Sequence, residues 1–111
     1  MKESPEEQDE RQYMDSAEYQ LDVALQMLPE HGRDTMKNYI MHGIPTGNFL
    51  SALMSNDLCE TFGRADEFNR PLIYYYVFFL YNYAPSTCWG SREKVDAWIK
   101  RFADKRKGEQ A

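Results

Sequence analysis

Apolar residues dominate one stretch near the middle of the chain. Between Pro71 and Pro85 nearly every residue is large and apolar or aromatic. The run does not alternate and no partner strand is evident elsewhere, so a helix is favoured over a strand. A helix that is apolar all round is expected to be buried on several sides. We therefore predict a central aromatic helix over about 70–83, capped by Asn69.

The segments around this helix also show helical spacing, interrupted by capping and turn residues. Ser4 predicts the start of a long N-terminal helix that reaches about Leu28. Shorter helices are predicted over about 29–42, 48–55 and 58–68, with a kink or restart at 55–57. Gly43 is expected to end the first of these. A last helix is predicted from Ser91, its cap, to Gly108.

The apolar positions of these helices predict their buried faces. They are Met14, Ala17, Leu21, Ala24 and Leu28 in the first helix, Met36, Tyr39 and Ile40 in the second, Phe49, Leu50, Leu53 and Met54 in the third, Leu58, Phe62 and Ala65 in the fourth, and Val95, Trp98, Ile99 and Phe102 in the last.

Together these elements predict an all-α fold. We expect a compact bundle of five or six helices around the central aromatic helix, with residues 1–28 as an N-terminal helical arm, 29–107 as the helical core domain and 108–111 as a tail. The apolar stripe of the arm suits packing onto its own domain. It also permits a homodimer through residues 5–28, although two heptads are short for a coiled coil.

Composition and charge limit the possible functions. The chain has 111 residues, of which 42% are hydrophobic, and suits one folded domain. Its net charge of −5 does not suit duplex nucleic acid, which needs a basic surface, but suits a protein partner. The central apolar run is too short to cross a membrane and no signal peptide is evident, so we expect a cytoplasmic protein.

The sequence shows no set of residues that specifies a reaction. Two cysteines and two histidines are too few for a disulfide scaffold or a structural zinc site, so we expect neither a metal nor a cofactor. Cys88 precedes a predicted helix N-terminus, where the pKa of its thiol could fall, but it has no acid–base partner nearby in sequence. We predict no catalytic residue and no enzymatic activity.

Polar residues near the aromatic helix are the candidate binding residues. The segment 56–64 fits a solvated helix face with a Glu60–Arg64 ion pair, or the polar wall of a site in which Arg64 faces an anion. Asp66 and Asn69 fit a helix-end cap or a buried contact with the central helix. The tyrosines of the central helix are compatible with core packing, with an aromatic wall for a planar ligand, or with an oligomer interface. The full candidate set is Asn56, Asp57, Arg64, Asp66, Asn69, Tyr81, Asn82 and Trp89.

Several short motifs, taken together in their order along the chain, resemble a family of small proteins of tailed phages and prophages. The motifs include Gly43-Ile44-Pro45, Asn56-Asp57-Leu58, Arg64-Ala65-Asp66, Leu80-Tyr81-Asn82 and Cys88-Trp89-Gly90-Ser91. The resemblance covers about residues 29–99. It implies a phage origin and an accessory role inside the infected cell, and it brings no established reaction.

Three functions are compatible with these observations. The first is a non-enzymatic phage accessory protein that binds a host protein, as a counter-defence inhibitor. The second is a sponge for a nucleotide-like small molecule, which would stack on the tyrosines with Arg64 facing its phosphate. The third is a structural or adaptor oligomer that dimerises through its N-terminal helix.

Overall fold

The computed structural model describes residues 20–110, and every regular element in this range is helical. The helices are α1 (20–25), α2 (Glu30–His42), α3 (Asn48–Met54), α4 (Leu58–Arg64), α5 (Ile73–Tyr83) and α6 (Arg92–Gln110), with a 3-10 turn at Arg70–Leu72. The all-α prediction is confirmed for this range. Most of the predicted N-terminal helix lies outside the described residues, and its described part ends at residue 25, followed by a turn.

Local capping chemistry divides the chain into these helices. Gly43 adopts φ 63°, the left-handed conformation that ends α2. The Asp57 carboxylate accepts a hydrogen bond from the Glu60 N–H at 3.1 Å, which starts α4 as a separate helix after α3. The Ser91 hydroxyl accepts one from the Lys94 N–H at 3.1 Å. The predicted restart at 55–57 and the predicted caps at Gly43 and Ser91 are therefore confirmed.

Tyr39 connects three parts of the fold from a fully buried position. Its hydroxyl donates to the Cys88 carbonyl at 2.6 Å, and its own carbonyl accepts from the Trp98 indole N–H at 2.9 Å. The loop that carries Cys88 is also fixed to α3, because the Gly90 N–H donates to the Met54 carbonyl at 2.7 Å. These bonds join α2, α3, α6 and the loop before α6 into one frame.

The core is built largely from the predicted faces. The fully or almost fully buried apolar side chains include Leu21, Leu25, Leu28, Met36, Tyr39, Ile40, Leu50, Leu53, Met54, Ala65, Ile73, Tyr76, Phe79, Leu80, Val95 and Trp98. Phe49, Ile99 and Phe102 pack against this core while half-buried. The predicted faces of α2, α3 and α6, and the described part of the α1 face, are thus confirmed.

Helix α4 departs from its prediction. Leu58 and Phe62, two of its three expected buried residues, are exposed, whereas Ala65, just after the helix, is buried as expected. Within the helix the buried side chain is Thr61. The Thr61 hydroxyl donates to the Asp57 carbonyl at 2.6 Å, so burying it leaves no polar group unpaired. The helix also ends at Arg64 instead of continuing to about residue 68.

Helix α5 differs from its prediction in start and burial. It begins at Ile73, after the 3-10 turn that contains Pro71, and the Asn69 side chain does not cap it. Its buried residues are Ile73, Tyr76, Phe79 and Leu80, which share one face. The expectation of burial on several sides is wrong, because the opposite face of this helix is exposed.

Helix α6 continues further than predicted. Gly108 does not end it, and the helical backbone runs to Gln110. The Arg106 guanidinium donates to the His42 carbonyl at 2.6 Å, which satisfies one of the free carbonyls at the end of α2. The contact fixes the second half of α6 against the C-terminus of α2.

Replacing Gly43 by alanine should destabilise the fold. The substitution forces a left-handed φ on a residue with a Cβ, and the added methyl group would collide with the Phe102 ring. We expect a loss of about 2–4 kcal/mol in the free energy of unfolding, measured by urea denaturation.

Gly63→Ala is the matched control. It lies within α4 and has open space around the added methyl group, so it should stabilise the protein by about 0.5–1 kcal/mol. Equal effects of the two substitutions would contradict the role given to Gly43.

Candidate functional site

The outward face of α5 carries a continuous line of large apolar side chains. Tyr74, Val77, Phe78 and Tyr81 are spaced i, i+3, i+4 and i+7, so they lie along one side of the helix. Tyr74 is 67% exposed and Tyr81 78% exposed, and the other two are also exposed. We call these four residues the aromatic stripe. It lies opposite the face that α5 buries in the core.

Contacts within α5 order the side chains on this face. The Tyr74 and Phe78 rings stack with centroids 6.1 Å apart, and the Tyr74 and Tyr75 rings meet edge to face at 5.5 Å. The Asn82 amide donates to the Phe78 carbonyl at 2.9 Å. The Asn82 side chain therefore turns back onto its own helix.

The aromatic stripe is uncharged over its whole length. No residue from 71 to 91 is charged, and Arg70 and Arg92 flank this region. At these exposed fractions, with ~150–250 Å² per aromatic side chain, the stripe presents on the order of 400 Å² of mostly apolar surface. Patches of this size on single chains are often functional.

The predicted polar cluster is engaged in local structure. Asp57 caps α4, and the Arg64 guanidinium pairs with the exposed Glu60 carboxylate at 3.0 Å. Asp66 accepts a hydrogen bond from the Asn69 N–H at 2.7 Å, which closes the turn before α5. Asn56 adopts φ 62°, a conformation that asparagine tolerates in turns. A binding role for these residues, and for Arg64 on a phosphate, stays a prediction.

The remaining candidate residues fall in different places. Tyr81 is the most exposed member of the stripe, and Asn82 lies beside it. Trp89 is half-buried against the core, and its indole N–H has no hydrogen-bond partner among the described residues. The Asn69 side chain accepts a hydrogen bond from His31 Nε2 at 2.8 Å. The structure therefore does not gather the eight predicted residues into one site.

Sequence reasoning missed a small depression beside α2 and α5. It has a volume of about 210 Å³, and its lining includes His31, Thr35, Asn69 and Tyr76. His31 and Asn69 are 38 residues apart, so no local spacing in the sequence could join them. Of the predicted binding residues, Asn69 alone contributes to this lining.

Cys88 is not an activated thiol. It is fully buried, and burial raises the pKa of its thiol from its ordinary value of 9.0 to about 12, although Lys94 acts in the opposite direction. The expected lowering near a helix N-terminus is therefore wrong, because desolvation of the thiolate outweighs the favourable charges.

Within residues 20–108, no group of three or more His, Cys, Asp or Glu side chains could hold a metal ion. None of the helices that the structure describes is both long and apolar enough to cross a membrane.

Comparisons with protein-family models, curated proteins and solved structures found no match. Neither these comparisons nor the geometry of the described residues gives any positive indication of an enzymatic activity.

Burial of Cys88 should make stability fall at alkaline pH. The unfolded chain loses the thiol proton near pH 9, whereas the folded chain keeps it to about pH 12. The unfolded state therefore binds fewer protons in this interval, and stability decreases by up to ~1.4 kcal/mol per pH unit from this group. Urea midpoints measured between pH 8 and 11 should show a smaller decrease in Cys88→Ala than in the original chain.

Cys59→Ser is the control, since Cys59 is exposed. This variant should keep the full pH dependence. A pH dependence unchanged by Cys88→Ala would contradict the assignment to Cys88.

Proposed function

We propose that this chain is a non-enzymatic binding protein that holds a protein partner on the aromatic stripe. The observation that carries the proposal is the exposed, uncharged outer face of α5, with Tyr74 and Tyr81 more than half exposed. Tyrosine is enriched among residues that dominate binding energy, because its ring buries a large area at a small entropy cost.

The spacing of the stripe favours a helix as the bound segment. A ridge formed by residues at i, i+3, i+4 and i+7 fits the groove between side chains of a second helix. Amphipathic helices use the same spacing when they bind apolar surfaces of other proteins. The net charge of −5 favours basic residues at the edges of the partner segment. We therefore propose a partner helix with an apolar face flanked by Lys or Arg.

The resemblance to tailed-phage proteins suggests where this binding would occur. On that basis the partner is a host protein in the cytoplasm of the infected bacterium, and the chain acts as a counter-defence inhibitor by occupying a surface of its target. Stoichiometric inhibition needs an interface and no catalytic group, which agrees with the features of the stripe.

Charging the stripe should abolish partner binding without unfolding the protein. Tyr74→Glu combined with Tyr81→Glu places two carboxylates on an apolar contact surface and removes two aromatic anchors. Truncating such an anchor typically costs ~2 kcal/mol, or about 30-fold in affinity. Affinity capture from host lysate, followed by titration of the retained protein, should show at least that loss.

Lys100→Glu is the charge-matched control. It changes the net charge by the same −2 at an exposed position of α6, whose side chain is 79% exposed. This control should keep the partner, and all three chains should unfold at similar temperatures, because surface substitutions usually change stability by less than ~0.5 kcal/mol. A partner retained by the stripe variant, or lost equally in the control, would contradict the proposal.

A further inference from the structure

The depression near His31 has the features of a separate binding site, which we call the His31 pocket. Its volume is about 210 Å³. Phe49 and Leu50 contribute apolar walls, and Thr35, Asn69 and Tyr76 contribute polar groups. At ~30 Å³ per water molecule in the liquid, this volume corresponds to roughly seven waters. It suits a single six-membered ring and falls below the ~300 Å³ at which pockets for larger ligands begin.

Tyr76 provides the strongest indication of a ligand. The residue is only 1% exposed, yet it contributes to the pocket lining, and its hydroxyl lies against Gly32, another lining residue. This hydroxyl makes no hydrogen bond with any residue in the described part of the chain. The enclosed side-chain atoms without a partner among the described residues are Ser55 Oγ and Trp89 Nε1, so the Tyr76 hydroxyl keeps contact with the open space of the pocket. A hydroxyl in this position is normally satisfied by a water or a ligand.

The local backbone makes room for this hydroxyl. Gly32 on α2 faces the Tyr76 ring end, and a methyl group at Gly32 would overlap the hydroxyl oxygen. The Phe49 ring meets the Tyr76 ring edge to face at 5.8 Å, which fixes the ring that carries the hydroxyl. The hydroxyl is therefore held at the pocket wall by packing, without a hydrogen bond of its own.

The hydrogen-bond donors of the lining groups define the complementary chemistry. Burial raises the pKa of the Tyr76 hydroxyl, so it stays protonated and can donate a hydrogen bond. The contact of His31 Nε2 with the Asn69 side-chain oxygen fits donation by the ring, since an amide oxygen only accepts. This contact leaves the Asn69 amide N–H₂ group as a second donor at the pocket.

We propose that the His31 pocket binds a neutral, single-ring molecule that carries a hydrogen-bond acceptor, as in a pyridine or pyrimidine ring. The acceptor takes the hydrogen of the Tyr76 hydroxyl, and the ring packs against Phe49 and Leu50. This site is distinct from the aromatic stripe, which uses the opposite face of α5, and it does not depend on the proposed protein partner.

Titration of the full ¹⁵N-labelled chain with pyridine and with benzene tests the proposal. The two rings have nearly the same size, and pyridine alone carries an acceptor. Pyridine should cause saturable shifts at the amides of Gly32, Thr35 and Gly47, and benzene should bind about three- to tenfold more weakly, the worth of one hydrogen bond. Equal affinity of the two rings, or no saturable shift at these amides, would overturn it.

Tyr76→Phe separates the hydroxyl from the shape of the pocket. The variant keeps the ring and removes a hydroxyl that has no partner among the described residues, so it should fold with about the original stability. Its affinity for pyridine should fall about three- to tenfold, to that for benzene. Tyr74→Phe, on the exposed face of the same helix, should leave pyridine binding unchanged. Unchanged pyridine binding in Tyr76→Phe would also overturn the proposal. A marked loss of stability in this variant would overturn it too, because the loss would mean that the hydroxyl already has a hydrogen-bond partner.

Discussion

Helix α5 is apolar on every side, but the fold buries only one of them. Ile73, Tyr76, Phe79 and Leu80 face the core, while the aromatic stripe faces outward. Covering roughly 400 Å² of apolar surface is worth on the order of 10 kcal/mol at ~25 cal/mol per Å². Bringing two proteins together costs ~4–15 kcal/mol, so the stripe alone gives at best modest affinity. A partner that binds tightly must therefore add contacts around the edge of the stripe. Lys or Arg residues of the partner would make such contacts with this acidic chain.

The frame around Tyr39 joins α2, α3 and α6 to the loop that follows α5. The Tyr39 hydroxyl donates to the Cys88 carbonyl in the loop before α6. The Tyr39 backbone carbonyl accepts from the Trp98 indole N–H of α6. The Gly90 N–H adds α3 to the same frame through the Met54 carbonyl. The stripe and the His31 pocket use opposite sides of α5, which contributes only Tyr76 to the pocket. They also differ in kind, because the stripe is a broad apolar face, whereas the pocket is small and polar at one wall.

Sequence patterns predicted the features that depend on neighbouring residues. Gly43, Asp57 and Ser91 act at the helix ends because capping depends on side chains within about four positions. The buried face of α2 followed from ordinary helical periodicity. The exposed side of α5 could not be predicted in this way, because a helix with apolar residues all round has no polar face to indicate which side meets solvent.

Other features depended on contacts between residues distant in sequence, or on a local hydrogen bond that satisfies a buried polar group. The His31 pocket needs the approach of residues 31 and 69, which no spacing encodes. Burial of Thr61 in place of Leu58 and Phe62 became possible because its hydroxyl bonds the carbonyl one turn back. Of the predicted binding residues, Asp57 caps α4 and Asp66 closes a turn, while the Arg64 guanidinium pairs with Glu60.

Site-specific photo-crosslinking in living cells tests the proposed binding of a protein partner on the aromatic stripe most directly. A benzophenone side chain placed at Tyr81 lies on the stripe, whereas one placed at Lys100 lies on an exposed part of α6. We expect one discrete crosslinked partner protein from position 81 and none from position 100. Crosslinks of equal yield from both positions, or crosslinks from position 81 only to a second copy of this chain, would contradict it.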